Sequence, residues 1–321
     1  MILAAGYGER LWPLTADRTK SALPVLGKPL VGYVAEYLAT HGIRDVIVNL
    51  HHRPDSVRGA LGDGRQFGVK LQYVHEPVIL GTSGALDNAR ELLGSETFVV
   101  INGKLITDID LHAALETHRK RNALATLVLR TNPARERFSV VETSNGLITR
   151  FAGMPGQIDS REASLMFTGI QVLEPRIFDY IPKGRFSHST VDVYPQAIAN
   201  GEKIAAHVAG GTWYELSTLQ RYLDISLALL RSQGKDLHAG HTVVIDPQAD
   251  VRESILWNSV VVEKGARVRR AILGDGVCVS AGEHIENAAV VRARLVARIT
   301  PPAKAPPGFL RGDNFVVPLS Q

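Results

Sequence analysis

The stretch of sequence that decides the fold is Leu3–Thr15, which reads LAAGYGERLWPLT. A short apolar strand is followed by Gly6 and Gly8. Because glycine has no side chain, the backbone N–H groups at these positions can approach a polyphosphate. Arg10 adds a fork of charged donors two residues later. A Gly-x-Gly turn after a first strand is as often only a tight turn, so this pattern alone leaves phosphate binding and plain chain reversal both open.

A second basic residue follows in the segment Thr15–Pro29, which reads TADRTKSALPVLGKP. It places Lys20 ten residues after Arg10, on a loop that has its own prolines and glycine. Taken by themselves, Lys20 could be a solvated loop lysine and Arg10 a surface ion-pair partner. The formal net charge of +4 suits a small anionic substrate.

The bulk composition is that of an ordinary globular protein. Of the 321 residues, 45% are hydrophobic and 21% are charged, so the chain can bury a large core and form one large domain plus a smaller one. Basic residues are interspersed with acidic ones, and therefore we expect no nucleic-acid partner.

The same sequence indicates a compartment. Cys278 is the single cysteine, which fits a reducing environment, and no apolar stretch reaches the roughly 18 residues of a membrane span. We expect a cytoplasmic protein with no membrane partner. The first strand is short, so we also expect further residues upstream of Met1.

From residue 1 to residue 232, short β-branched runs alternate with amphipathic stretches, a pattern that predicts βαβ units and a mostly parallel sheet. An Asn145-Gly146 pair predicts a hairpin turn. Strands are predicted at Met1–Ala5, Asp45–Leu50, Phe98–Asn102 and Ala125–Thr131. Helices are predicted at Pro29–Thr40, Ser83–Leu93, Asp110–Arg121 and Ser217–Ser232, the last with Ser217 as its N-cap.

Beyond Gly234 the helical period disappears. Apolar residues recur six apart in three runs, namely Ile245 and Val251, Val262 and Val268, and Leu273, Val279 and Ile285. Repetition at six favours a parallel β-helix, and the alternative is a few irregular strands that cap the first domain. The predicted organisation is a domain over residues 1–232, a linker over 233–241, a β-helix over 242–300 and a proline-rich surface tail over 301–321.

The whole block Leu3–Pro29 resembles the signature of the sugar-1-phosphate nucleotidylyltransferases, or nucleotide-sugar pyrophosphorylases. That signature is LAAGxGxRLxPLT followed by RPKxxxPV and GKP, and Thr19 here replaces the usual proline. Further segments similar to the family are Glu76-Pro77, Leu80–Leu86 (LGTSGAL), Phe167–Leu173 (FTGIQVL) and Gly211–Leu223 (GTWYELSTLQRYL). The mannose-1-phosphate guanylyltransferase-like branch is the most similar. The resemblance implies an α/β fold, a Rossmann-like nucleotidyltransferase domain with a mixed, mostly parallel sheet, followed by a short left-handed parallel β-helix.

The resemblance also implies a reaction. The sugar 1-phosphate oxygen would attack the α-phosphorus of a nucleoside triphosphate, giving an NDP-sugar and pyrophosphate without a covalent enzyme intermediate, and Mg²⁺ would bridge both reactants. Arg10 and Lys20 would be catalytic. The implied nucleotide-binding residues are Leu3, Ala5, Gly6, Gly8, Glu76, Gly81, Thr82, Asn102 and Gly103. Gly169 and Asp192 would face the sugar, although a helix-capping role for Asp192 stays open.

The chain departs from the family at polar positions. In VINGKLITD (Val100–Asp108), Lys104 replaces a metal-binding aspartate, and Glu215 replaces a second one. An ammonium has three donors and no lone pair, so a metal site of the usual form should not assemble at Lys104. A third departure is Gly153-Met154-Pro155, where many members have EKP.

Two functional hypotheses follow. In the first, the chain is an active nucleotidylyltransferase in which Lys104 is a catalytic fixed cation that replaces Mg²⁺, or metal still enters with the nucleotide and is held by Glu215 and Asp108. In the second, the site binds a nucleotide or NDP-sugar without turnover, and the protein is a sensor or regulatory subunit. Retention of Arg10 and Lys20 favours the first. The flat faces of a β-helix lead us to expect a homo-oligomer.

Overall fold

A computed structural model describes residues 1–132, 140–152 and 165–319. The chain forms two compact units. The first unit contains Met1–Ala5, Val34–Pro54 and Gly62–Trp213; the second contains Gly6–Tyr33, Asp55–Leu61 and Tyr214–Gln321. The prediction placed consecutive domains on either side of residue 232, whereas here the glycine-rich segment belongs to the same unit as the C-terminal repeats. The Gly153-Met154-Pro155 departure lies outside the described residues.

The strands before residue 216 follow the predicted alternation of apolar runs. In chain order they are β1 (Ile2–Leu3), β2 (Pro24–Val25), β3 (Lys28–Pro29), β4 (Asp45–Leu50), β5 (Lys70–His75), β6 (Phe98–Asn102), β7 (Leu105–Thr107), β8 (Ala125–Thr131), β9 (Val140–Ser144), β10 (Leu147–Ala152), β11 (Leu165–Leu173), β12 (Ile204–Val208) and β13 (Trp213–Glu215). The predicted strands β4, β6 and β8 are confirmed to the residue. Asn145-Gly146 forms the predicted turn, because both residues have positive φ.

The first unit is built on a nine-stranded mixed sheet in the order β5-β4-β1-β6-β11-β8-β12-β10-β9. Four neighbouring pairs are parallel (β5–β4, β4–β1, β1–β6 and β8–β12) and four are antiparallel (β6–β11, β11–β8, β12–β10 and β10–β9). The prediction of a mostly parallel sheet is therefore wrong, because only half of the neighbouring strand pairs are parallel. Strand β11 lies antiparallel between β6 and β8. In the parallel half of the sheet, the carboxyl ends of β1 and β6 lie at the edge where ligands of open α/β sheets bind.

The helices are α1 (Leu30–Thr40), α2 (Pro54–Leu61), α3 (Gly81–Asn88), α4 (Arg90–Leu93), α5 (Leu111–Arg121), α6 (Tyr194–Ala199), α7 (Leu219–Ser232) and α8 (Ala293–Val296). The predicted helix over Ser83–Leu93 is two helices, because the chain leaves helical geometry at Ala89. The N-cap of α7 is Thr218 and not Ser217, since the Thr218 hydroxyl accepts from the Arg221 N–H at 3.2 Å.

The C-terminal part of the second unit is a coil of short parallel strands. They are β14 (Leu237–Ala239), β15 (Val244–Ile245), β16 (Asp250–Arg252), β17 (Ser254–Leu256), β18 (Val261–Val262), β19 (Arg267–Leu273), β20 (Cys278–Val279) and β21 (His284–Arg292). Partners are 17 residues apart, as in Val244 with Val261 and Val261 with Cys278. The parallel pairing begins at Leu237, within the predicted linker, and is the pairing expected of a parallel coil. Its left-handedness stays a prediction.

The end of the chain closes the coil. Strands β22 (Phe309–Arg311) and β23 (Asn314–Pro318) form a hairpin, which we call the C-terminal hairpin, and β23 pairs antiparallel with β21. Val316 and Val317 are buried. The prediction of a surface tail over 301–321 is therefore wrong for the residues of the hairpin. Apolar residues that alternate after the last proline pair form a strand there. In the described residues no helix has the length and apolarity to cross a membrane.

We predict that Leu273→Ala, which empties a fully buried position of the coil, lowers the free energy of unfolding by about 2–5 kcal/mol. Equilibrium urea denaturation measures this loss. Arg267→Ala, on the exposed face of the same strand, is the control and should change the stability by less than about 0.5 kcal/mol. Equal losses in both variants would contradict the assignment of Leu273 to the coil core.

Candidate functional site

The glycine-rich loop of the second unit is shaped by one close backbone contact. Gly8 has φ +71, and a Cβ added to it would lie 2.8 Å from the Lys20 Cβ. Only glycine combines this left-handed backbone with so close an approach. Gly6, by contrast, is exposed, and a Cβ there would meet nothing within 4 Å. The structure thus brings Gly8 and Lys20 together, although they are twelve positions apart in the chain.

Two threonines hold the carbonyls of this loop. The Thr15 hydroxyl donates to the Gly8 carbonyl at 3.3 Å, and the Thr19 hydroxyl donates to the Gly6 carbonyl at 3.3 Å. Thr19 is fully buried, and its N–H donates to the Ser56 hydroxyl at 3.0 Å. The loop is therefore fixed by its own hydrogen bonds before any ligand binds. From the sequence, Thr19 was noted only as a departure from the usual proline. Its hydroxyl group was the feature that could have indicated its role in holding the loop.

The two cations of the loop are differently placed. Arg10 lies in the short 3-10 helix Glu9–Leu11 and is exposed. Lys20 begins the 3-10 helix Lys20–Ala22 and is half-buried. A partly desolvated ammonium interacts with an anion more strongly than a fully hydrated one does, while an exposed guanidinium remains free to turn toward an incoming phosphate.

In the first unit, a buried hydrogen-bonded chain joins the ends of three strands. The Ala4 N–H donates to Asn49 Oδ1 at 2.7 Å, and Asn49 Nδ2 donates to Glu76 Oε1 at 2.6 Å. The second carboxylate oxygen of Glu76 accepts from the Leu80 N–H at 3.1 Å. Glu76 has no exposed surface, so its carboxylate positions the loop before α3 and does not reach a ligand itself. Asn49 was missed because nothing in its own strand marks it.

The two histidines that follow β4 lie in the same region. His51 Nδ1 lies 2.8 Å from the Glu76 carbonyl oxygen. Burial lowers the pKa of His52, and the charge of Arg53 acts in the same direction. The contact with the Glu76 carbonyl gives His51 a supporting role in the fold.

The start of α3 is packed against a distant segment. Gly81 has φ +75, and a Cβ there would lie 2.4 Å from the Ser187 carbonyl oxygen. That carbonyl accepts from the Ser83 N–H at 3.1 Å, and the Thr82 hydroxyl accepts from the Ser189 N–H at 2.9 Å. The Thr82 side chain is therefore already used to fix the helix start, and Gly81 is needed for close packing.

Asn102, Gly103 and Gly169 meet at the end of the central strands. The Gly103 N–H donates to the Leu3 carbonyl at 2.9 Å, which places Gly103 at the end of β1. Gly169 has φ +84, and a Cβ there would lie 2.1 Å from Asn102 Nδ2. The nucleotide-binding role predicted for Asn102 and Gly103 and the sugar-facing role predicted for Gly169 stay predictions. Ala5, two residues after Leu3, is buried.

Of the two proposed metal ligands, Asp108 already accepts a hydrogen bond through its carboxylate. Asp108 Oδ1 accepts from the Thr212 N–H at 2.5 Å and stabilises the turn at Gly211, whose φ is +82. Glu215 is 5% exposed, and its carbonyl accepts from Arg221 Nε at 3.0 Å. Lys104, half-buried, can supply no lone pair.

Lys104 thus offers Mg²⁺ no ligand. Among residues 1–132, 140–152 and 165–319, no group of three or more His, Cys, Asp or Glu side chains is placed to hold a metal ion. Mg²⁺ requires oxygen ligands near octahedral geometry, and Lys104, at the position where the resemblance implies a metal ligand, offers only donors. The described residues therefore do not fit a metal held by the protein in the usual way.

Asp192 has a local role. Its Oδ2 accepts from the His188 N–H at 2.6 Å, at the start of a π-helix over Ser189–Val193. The side chain is exposed. Of the two interpretations left open by the sequence, the observed contact supports capping, and it leaves one oxygen of the carboxylate for other partners.

Comparison with known proteins gives consistent matches. A family model described as nucleotidyl transferase matches residues 1–232. A UTP--glucose-1-phosphate uridylyltransferase of Synechocystis is 31% identical over 74% of this chain and 64% of its own length. A mannose-1-phosphate guanylyltransferase of Mycobacterium tuberculosis is 30% identical over 78% of this chain and 70% of its own. An N-acetylmuramate alpha-1-phosphate uridylyltransferase of Neisseria meningitidis is 33% identical over 69% of this chain and 94% of its own.

A solved structure agrees with these matches. A Bacillus anthracis protein described as a glucose-1-phosphate thymidylyltransferase, in complex with sucrose, superposes with a TM-score of 0.63 at 26% identity. The superposition covers 72% of this chain and 94% of that one.

We predict that Gly8→Ala lowers the melting temperature of the ligand-free protein, whereas Gly6→Ala leaves it unchanged. Alanine at Gly8 combines a left-handed backbone with a clash against Lys20, at a cost of about 1–3 kcal/mol. Alanine at Gly6 meets no neighbouring atom. Thermal unfolding without nucleotide measures both, and a drop for Gly6→Ala would contradict the open surroundings of that residue.

We predict that Glu76→Gln destabilises the fold by about 1–3 kcal/mol. The glutamine NH₂ group would replace one carboxylate oxygen and would face an N–H group that needs an acceptor. Both carboxylate oxygens accept hydrogen bonds, so neither orientation of the glutamine satisfies both partners. Urea denaturation measures the loss, with the exposed Glu96→Gln as the control. An unchanged stability would contradict a structural role for this carboxylate.

Proposed function

The chain belongs to the nucleotidyl transferase family, and from that membership we propose that it is an enzyme that joins a nucleoside triphosphate to a sugar 1-phosphate. The names of the three relatives above describe nucleotidyl transfer to a sugar phosphate, although they differ in nucleotide and sugar. The observation that carries the proposal is the loop in which Gly8 packs directly on Lys20. It brings a glycine backbone turn next to a lysine that carries a positive charge.

The reaction balances without a protein nucleophile. A phosphate oxygen of the sugar 1-phosphate forms a bond to the α-phosphorus of the triphosphate. The bond from the α-phosphorus to the β-phosphate bridging oxygen breaks, and pyrophosphate leaves with its electron pair. The protein then has two tasks, which are to align attacking and leaving oxygens and to neutralise the charge that develops on the phosphates.

Each task has candidate residues. We assign the amides of Gly6 and Gly8 to the triphosphate, with Arg10 as a mobile donor and Lys20 as the cation near the α-phosphate. The start of α3, at Gly81 and Thr82, is our candidate for the nucleoside, and it is fixed by its contacts with residues 187–189. Asn102, Gly103 and Gly169 are candidates for the substrate side of the central strands, with Asp192 toward the sugar.

Lys104 replaces the charge of the missing metal in this proposal. A fixed ammonium neutralises phosphate oxygens and donates up to three hydrogen bonds to them, although it cannot accept a bond or bridge ligands octahedrally. The half-buried position of Lys104 reduces its hydration and strengthens such contacts. Any Mg²⁺ would arrive as part of the nucleotide substrate.

A second candidate function has an observation in its favour. The same lack of metal ligands suits a protein that binds a nucleotide or NDP-sugar without turning it over. Such a protein would be a sensor or regulatory subunit of the same fold. Retention of Arg10 and Lys20 favours turnover, because charge neutralisation on the phosphates is needed more in the transition state than for binding.

The test is pyrophosphate release by the purified protein, with GTP and mannose 1-phosphate as the first pair, since the mycobacterial relative is named for that chemistry. UTP, dTTP, ATP and CTP with glucose and N-acetylglucosamine 1-phosphates follow. We expect turnover on at least one pair that persists when a chelator removes free Mg²⁺. Absence of turnover on all pairs, with turnover gained in Lys104→Asp plus Mg²⁺, would establish the sensor alternative instead.

We predict that Lys104→Gln lowers kcat/KM by about 10- to 100-fold, which corresponds to the loss of about 1.4–2.8 kcal/mol of charged hydrogen bonding. Steady-state pyrophosphate release measures the change. The control is Lys235→Gln, which removes an exposed lysine outside the assigned residues. Unchanged kinetics in Lys104→Gln would mean that the ammonium has no part in charge neutralisation.

A further inference from the structure

Strand β11 of the first unit carries a bulge at Gly169. From Phe167 to Gln171 the chain advances four residues along β11, while the residues opposite them on β8 advance only two. The pairing of β11 with β6 starts one residue after Gly169, at Ile170. Bulges are frequent beside active sites, where they redirect a group of the strand.

The carbonyl that precedes Gly169 has a side-chain donor. The Thr168 carbonyl accepts from the indole N–H of Trp213, with 3.0 Å between Trp213 Nε1 and the oxygen. The hydroxyl of the same threonine donates to the Val128 carbonyl at 2.7 Å and accepts from the Ile170 N–H at 3.4 Å. Thr168 is buried, and a buried carbonyl requires a donor. Trp213 and the Thr168 hydroxyl therefore hold the bulge through two different groups of one residue.

The contact with Trp213 also determines the direction of a backbone donor. The Thr168 C=O and the Gly169 N–H belong to one peptide group, which is trans and planar. In a trans peptide these two groups point in opposite directions, so a donor that fixes the C=O also fixes the N–H. A hydrogen bond to the oxygen further polarises the N–H and makes it a stronger donor.

Trp213 is itself held by the backbone just before it. The Thr212 carbonyl accepts from the Thr107 hydroxyl at 2.7 Å and from the Asp108 N–H at 3.3 Å. The Thr212 N–H donates to Asp108 Oδ1 at 2.5 Å. The indole therefore reaches Thr168 from a fixed turn, and it does not have to be ordered when a ligand binds.

We propose that Trp213 is a positioning residue for sugar recognition. Through the Thr168 carbonyl, its indole N–H sets the direction in which the Gly169 N–H donates to an oxygen of the sugar. This inference rests on the proposed function, in which Gly169 lies on the substrate side of the central strands. Gly169 presents only backbone there, because a Cβ would collide with Asn102.

The test is isothermal titration of the full chain with GDP-mannose and GDP, and with UDP-glucose and UDP. The members of each pair differ by the sugar, so the variant's separate effects on their Kd values isolate the sugar contact. Trp213→Phe keeps an aromatic ring and removes the donor. We expect it to weaken binding of the nucleotide sugar by about five- to tenfold, the effect of one misdirected hydrogen bond, and to change the Kd of the parent nucleotide by less than about twofold.

Trp257→Phe is a matched control. The Trp257 indole N–H also donates at 3.0 Å, to the Tyr222 hydroxyl, and this contact lies in the second unit, outside the residues assigned to the substrates. We expect this variant to have a lower melting temperature and to bind the nucleotide sugar within about twofold of the natural chain. Equal weakening of nucleotide-sugar binding in both variants would indicate a general loss of stability and overturn the proposal.

Thr168 provides a second test, which does not require Trp213→Phe to fold. Thr168→Val has nearly the same shape and removes the hydroxyl bonds to Val128 and Ile170, whereas Thr168→Ser keeps a hydroxyl. We expect Thr168→Val to weaken nucleotide-sugar binding and Thr168→Ser to restore it. Natural affinity in a folded Thr168→Val would overturn the proposal, because the direction of the Gly169 N–H would then not depend on the bulge.

Pyrophosphate release separates this inference from the proposed reaction. In an active protein, Trp213→Phe should raise the KM for the sugar 1-phosphate by about five- to tenfold and leave the KM for the nucleoside triphosphate within about twofold. Turnover with both KM values unchanged would overturn the role of Trp213 and leave the proposed reaction in place. Selective loss of nucleotide-sugar binding in a protein without turnover would support the role of Trp213 while the proposed reaction fails. A natural chain that binds neither nucleotide sugar would overturn the inference.

Discussion

The first unit depends on a carboxylate that has no contact with solvent. Glu76 is wholly buried, and its two oxygens accept from Asn49 and from the Leu80 N–H, while Asn49 in turn accepts from the Ala4 N–H. Burial of a carboxylate is unfavourable unless its oxygens are satisfied, so this chain of bonds forces the ends of β1, β4 and β5 into one arrangement. The loop before α3 and the residues after β1 take their positions from it.

Sequence patterns predicted the strands and helices of this fold better than they predicted which residues contact each other. The strands β4, β6 and β8 could be predicted because apolar runs bounded by turn residues are local signals. The glycines of the candidate site were also predicted, but the reasons for them were not, because Gly81 meets Ser187 and Gly169 meets Asn102 only in the folded chain. Asn49 carried no signal, since an asparagine inside an apolar strand becomes informative only when its buried partners are known.

The coil shows how a repeat can be recognised while its period is misjudged. Buried residues step by six, five and six, as from Val262 to Val268, Leu273 and Val279, which gives 17 residues per turn and explains the breaks in the six-residue pattern. Each five-residue step contains a left-handed corner residue, and these recur 17 apart at Glu253, Arg270 and Asn287. Non-glycine residues in this conformation cost free energy, so the stacked core must offset the corners.

At Thr19 and Lys104 the usual residue of the family signature is replaced by one that acts through different interactions. Proline fixes a loop through its ring and has no N–H, whereas Thr19 fixes the same position with an N–H bond to Ser56 and a hydroxyl bond to Gly6. A divalent ion neutralises phosphates by binding them and the protein together, whereas an ammonium can only donate to them. Thr19 therefore preserves the shape of the glycine-rich loop, and in the reaction that we propose Lys104 would preserve the sign of the charge and give up the bridging geometry. In that proposal, alignment of the reacting groups would come from the backbone, and so would depend on the rigidity of the Gly6–Lys20 loop.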